Sequence, residues 1–206
     1  MNTPALPAEI ADLTLDAKRP VIIVDVDEVL AMFMLGFGDY VRKQGYEMRV
    51  ERFALFQNIY RPGDTEHLDM AAGRELFEAF FLTDVEHIEP AEHASQTLAG
   101  LSKDASVVIL TNAPAGSRGP RGRWLAKHGF DYPMVINSGL KGPAVQAIHG
   151  KTKGSAAFID DLLPVIRARV RRRLGGRVPE GEIADVVQEV WVSLVSEGGR
   201  ELRRYD

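Results

Sequence analysis

Asp25 and Asp27 stand two residues apart where the apolar run Val21-Ile22-Ile23-Val24 gives way to Asp25-Val26-Asp27-Glu28-Val29-Leu30. Two carboxylates that close repel each other unless a cation, a proton or hydrogen bonds compensate, and a hard divalent cation is the simplest remedy. A carboxylate held in line with a leaving oxygen can attack phosphorus and split hydrolysis into two easier steps. The second carboxylate can protonate the leaving alkoxide and then deprotonate the attacking water.

Three further segments repeat the pattern of an apolar run ending in polar groups. Ser106-Val107-Val108-Ile109-Leu110 stops at Thr111-Asn112, whose hydroxyl and amide suit phosphate oxygens. Met134-Val135-Ile136 precedes Asn137-Ser138-Gly139-Leu140-Lys141, which delivers a cation at the start of the next helical stretch. Ala156-Ala157-Phe158-Ile159 runs into Asp160-Asp161. Apolar runs without alternation read as strands covered on both faces, as in a parallel α/β sheet, where ligands bind beyond the carboxyl ends of the strands. Asp25, the Asp27 main-chain carbonyl and an acid from Asp160-Asp161 would suffice to hold Mg²⁺, while Thr111, Asn112 and Lys141 are the candidates for phosphoryl oxygens.

In order and spacing these four motifs resemble the haloacid dehalogenase superfamily over roughly Val21 to Leu162. The resemblance implies a Rossmann-like core and an aspartyl-phosphate intermediate on Asp25. Asp27 would be the acid and base, Mg²⁺ the cofactor, Asp161 a direct metal ligand and Asp160 its support. Dehalogenases of that superfamily generally lack an acid at the position of Asp27, because a halide needs no proton to leave. A phosphatase acting on a small phosphorylated metabolite is therefore the expectation, with mutase or phosphotransferase chemistry using the same residues.

Those motifs occupy residues 18–30 and 102–162, the expected α/β core. The stretch from Ala31 to Leu101 is too long for a simple crossover and reads as a small helical cap, with Phe33, Phe37 and Tyr40, then Phe53 and Phe56, then Leu76, Phe77 and Phe80 at helical spacing. Such a cap would close over the crevice and select the leaving group. Its aromatics, with Phe80-Phe81, resemble the 5'-nucleotidase branch and could stack on a nucleobase; the simpler reading makes them a core between cap helices. Arg118, Arg121 and Arg123 lie in a segment rich in Gly and Pro that reads as a loop, either solvated or touching a second anionic group.

Composition bounds the remaining possibilities. The chain has 206 residues, 45% of them hydrophobic, and a net charge of −4, which suits one domain with a modest insertion. The absence of cysteine excludes disulfides, thiol catalysis and thiolate metal sites. No run approaches the length of a membrane span and the N-terminus lacks a signal pattern, so a cytoplasmic location is the expectation. His67, His87, His93, His128 and His149 show no ligand-like pairing and read as mostly surface residues. Gly36 and Gly38 form no phosphate-binding loop.

Beyond Leu162 the resemblance ends. Leu163, Ile166, Val170 and Leu174, then Ile183, Val186, Val187, Val190, Trp191 and Leu194, follow two helical patterns, so residues 163–206 read as a helical tail. Residues 163–174 and 185–191 resemble the opening helices of a bacterial sigma-factor region 2. From Leu163 onward nine Lys/Arg face seven Asp/Glu, +2, while the rest of the chain carries 16 against 22, −6. The tail either completes the fold, or is a fused remnant, or contacts RNA polymerase or nucleic acid. The alternative to an enzyme is thus a non-catalytic binding or regulatory protein with a repurposed site.

Overall fold

A computed structural model describes residues 6–50 and 55–160. These belong to one compact unit that ends at Asp160. Phe53, the acid Asp161 and the two helical patterns read for residues 163–206 lie outside the described residues.

Four parallel strands form the sheet, in the order β5-β4-β1-β6: β1 (Val21–Val24), β4 (Ser106–Thr111), β5 (Met134–Ile136) and β6 (Ala156–Ile159). The Rossmann-like α/β expectation therefore holds at the level of sheet and helices. Valine and isoleucine dominate β1 and β4 because branched side chains pack well on a pleated surface. Val21, Ile23, Val108, Leu110 and Val135 meet Ile10, Ala144 and Ile148 in one core cluster. Val24, Val107 and Ile109, which alternate with them, are buried too, so the central strands are covered on both faces.

The covering helices are α1 (Glu9–Asp12), which supplies Ile10, and α6 (Gly142–His149), which supplies Ala144 and Ile148. The core thus begins ahead of residue 18, because Ile10, Leu13 and Leu15 pack on the same face. Strand β6 departs from the buried-strand reading. Ala156 and Ala157, on opposite faces, are both exposed.

Residues 31–101 contain α2 (Phe33–Lys43), α3 (Met70–Thr83) and α4 (Ala94–Leu101), with a two-stranded antiparallel ribbon, β2 (Glu47–Met48) and β3 (Ile59–Tyr60), between the first two. Helical spacing found α2 and α3; the ribbon is too short to show periodicity. Phe33, Phe37, Tyr40, Phe56, Phe77, Phe80 and Phe81 stack on or abut one another with ring centroids 4.8–6.5 Å apart. They are a core, and the rings considered for a nucleobase are occupied by their neighbours.

The segment read as an arginine-bearing loop is a helix, α5 (Arg118–Lys127). Gly119 and Pro120 fall in its first turn, where amide hydrogens have no helical acceptor and proline costs little.

The backbones come close just ahead of β1 and β6. A Cβ on Gly154 would lie 2.6 Å from the Arg19 carbonyl oxygen. Gly154→Ala is expected to lower stability by about 1–3 kcal/mol, because backbone rather than a yielding side chain stands in the way. Urea unfolding checks this; an unchanged midpoint would show that the approach is not tight.

Candidate active site

Parallel register carries the chemistry-bearing residues to one end of the sheet. Val24 pairs with Ile159 on one side and Ile109 on the other, so Asp25 and Asp160 follow on adjacent strands, and the Asp25 amide donates to the Ile159 carbonyl at 2.9 Å. Thr111 closes β4 opposite Ile136, and Asn137 follows, its amide donating to the Thr111 carbonyl at 2.8 Å.

Lys141 joins these strand ends. Its ammonium lies 2.6 Å from Asp25 Oδ2 and 2.9 Å from Asp160 Oδ1, with its side chain mostly buried. It reaches there because Gly139 turns the chain with φ +80°, a conformation that costs glycine little, just before α6 begins. The Gly139 carbonyl accepts from Asn112 Nδ2 at 2.8 Å and from Asn137 Nδ2 at 3.2 Å, and Asn137 Nδ2 also donates to Asn112 Oδ1 at 2.8 Å. Asn112, a candidate for phosphate, is therefore engaged in bracing the turn that presents Lys141.

The turn after β1 is equally determined. The Val26 carbonyl accepts from the amides of Val29, Leu30 and Ala31 at 2.8–3.2 Å. Glu28 adopts φ +60° and its Oε1 accepts from the Met34 amide at 2.7 Å, satisfying one of the free donors at the start of α2. Asp27 Oδ1 accepts from Arg121 Nη2 at 2.6 Å. These contacts bring Asp25, Asp27, Lys141 and Asp160 together, and Thr111 ends the neighbouring strand at the same end of the sheet; Asp161 lies outside the described residues.

Arg121, Glu28 and Asn137 carry roles that the sequence reading missed. For Arg121 a signal existed. Its spacing of three and four from Trp124 and Leu125 marks one apolar helical face, which the Gly/Pro content obscured. The other two arginines pair at the surface, Arg118 with Glu9 and Arg123 with Glu86. Among the histidines, His87, His93 and His149 are exposed, whereas His128 is half-buried against Trp124, and burial holds its imidazole below the usual range.

Two buried oxygens at this end have no hydrogen-bond partner, Asp25 Oδ1 and Thr111 Oγ1. An orphaned polar atom at a strand end is the kind of exception that binding would explain. A hard cation suits this donor set: Asp25 and Asp160 are carboxylates at matched positions on adjacent strands, and one oxygen of Asp25 is unclaimed. No group of three acids or histidines among the described residues is ready-made for a metal, since Lys141 bridges Asp25 and Asp160 while Arg121 engages Asp27.

Burial and crowding set the charges. The Asp25 carboxyl stands at about 7 instead of 3.8: desolvation by burial raises it most, Lys141 pulls it down, and Asp27 and Asp160 add to the rise. Burial also works against the Lys141 ammonium, but Asp25 and Asp160 together hold it above its ordinary value. The two effects oppose each other across one contact. Lys141 gains from two carboxylates, whereas Asp25 loses more to burial than a single ammonium returns.

No protein-family model matches the chain, and no curated protein sequence is significantly similar to it.

Between about pH 4 and pH 7 the folded protein holds a proton on Asp25 that the unfolded chain releases, so stability falls as pH rises through that window. In metal-free buffer Asp25→Asn is expected to raise Tm by about 5 °C or more near neutral pH and to change it little near pH 4. Lys141 keeps Asp160 as its partner in the variant. Thermal unfolding across pH decides it, and parallel curves for both proteins would contradict the assignment.

Proposed function

We propose that this chain is a Mg²⁺-dependent phosphomonoester hydrolase of the haloacid dehalogenase type, acting on a small phosphorylated metabolite through an aspartyl-phosphate. The observation that carries the reading is the bridge made by Lys141 between Asp25 and Asp160, with Asp25 Oδ1 unpaired there and Thr111 Oγ1 unpaired at the end of the neighbouring strand β4. It supplies one free nucleophilic oxygen, one hydroxyl donor and one fixed cation at a single sheet end.

The substrate phosphoryl group would lie against Thr111 Oγ1 and Lys141 Nζ, which donate to its oxygens and offset the charge gathered there. Asp25 Oδ1 attacks phosphorus, the bond from phosphorus to the ester oxygen breaks, and that oxygen takes a proton from Asp27 to leave as the alcohol. Water then bonds to phosphorus while giving a proton back to Asp27. The bond between phosphorus and Asp25 breaks, and inorganic phosphate departs with both acids restored. Mg²⁺, held by Asp25, the Asp27 carbonyl and the acids at 160 and 161, would neutralise charge on the phosphoryl oxygens when bound. Asp27 favours an ester over a halide, since only the ester oxygen needs a proton. Base stacking forms no part of the proposal, because the aromatic rings are engaged with one another.

The wild type is expected to hydrolyse p-nitrophenyl phosphate with Mg²⁺ and to stop when the metal is chelated. Asp25→Asn should fall to background, and Lys141→Met should lose about 10²–10³ in kcat/KM. A wild type no faster than Asp25→Asn would refute the enzyme and favour a binding or regulatory role.

A further inference from the structure

Arg121 is wholly buried, yet its guanidinium makes one hydrogen bond, to Asp27 Oδ1 at 2.6 Å. Nε and Nη1 are buried without a partner. Guanidinium stays charged in proteins, and burying an ion with two unpartnered nitrogens carries a desolvation penalty that a methionine would not incur. Packing alone does not explain its presence. The rings of Phe81, at 4.9 Å, and Trp124, at 5.8 Å, face the cation and recover part of that cost.

Those rings are themselves fixed. Trp124 Nε1 donates to the buried Ile88 carbonyl at 2.7 Å and the indole stacks on Phe130, while Phe81 is packed into the aromatic core. The planar fork is therefore clamped from the side and aimed at a single carboxylate, the one assigned to proton transfer. Its helix begins at Arg118, seven residues after Thr111, so one segment carries both the proposed phosphate donor and the partner of Asp27.

We infer that Arg121 is a positioning residue for Asp27: it holds Oδ1 and so leaves Oδ2 as the oxygen that trades a proton with the leaving group and with water. This rests on the phosphatase reading above. With Arg121 in place the carboxylate is confined to one orientation about its two side-chain bonds. Without it, Asp27 would be free to turn, and protonation of a poor leaving group would suffer most.

The test compares two esters in kcat/KM, which reports transfer of phosphorus to Asp25. For Arg121→Met the expected loss is about a hundredfold with phenyl phosphate, whose leaving group needs the proton, and less than about tenfold with p-nitrophenyl phosphate. In an Asp27→Asn background the same change should cost less than about threefold, because its effect runs through Asp27. Equal losses on both esters, or an undiminished loss in that background, would overturn the inference. Should Arg121→Met not fold, Arg121→Lys replaces it, with the same selective loss expected at reduced size. A second readout is independent of turnover: in spectra of arginine-labelled protein, Asp27→Asn should shift one slowly exchanging guanidinium signal, and no shift would also overturn it. If the wild type hydrolyses neither ester faster than Asp25→Asn, the phosphatase reading fails first, whatever the spectra show of the ion pair.

Discussion

Three carboxylates gathered at the end of a parallel sheet repel one another unless cations, protons or hydrogen bonds compensate, and the structure supplies two cations. Lys141 sits between Asp25 and Asp160, and Arg121 sits on Asp27. Without these contacts the central strand would end in mutual repulsion at the point where burial already disfavours charge. Much of the surrounding architecture can be understood as what brings the two cations there.

Lys141 arrives by way of a left-handed glycine and two asparagines that brace the turn ahead of α6. Arg121 arrives because α5 begins soon after Thr111 and buries its Arg121, Trp124 and Leu125 face. The compensation is incomplete. Asp25 Oδ1, Thr111 Oγ1 and two nitrogens of Arg121 remain unpaired, and a protein selected only for stability would have little reason to keep them. In the proposed chemistry the two oxygens meet phosphorus and a phosphoryl oxygen, and the clamped arginine serves the acid.

Strand positions were legible in the sequence because unbroken runs of valine, isoleucine and leucine have few other uses in a chain of this length. Val21–Val24, Ser106–Thr111, Met134–Ile136 and Ala156–Ile159 form the sheet, and the polar residues following them meet at one end. Helix α5 was hidden because glycine and proline punctuate chains everywhere except in a first helical turn. Arg121 was hidden with it: three nearby arginines look alike until tertiary packing buries one and leaves two on the surface. The bracing role of Asn112 and Asn137 was equally out of reach, since it depends on contacts across 25 residues of chain that no local spacing encodes. The short ribbon of β2 and β3, and the open faces of β6, likewise depend on neighbours rather than on periodicity.

The proposed hydrolysis turns on Asp25 accepting phosphorus. Protein mixed with a phosphomonoester it turns over, quenched in acid during turnover and reduced with borohydride, should yield a peptide in which Asp25 has become homoserine. Conversion at another acid, or no conversion while hydrolysis proceeds, would show that Asp25 is not the nucleophile.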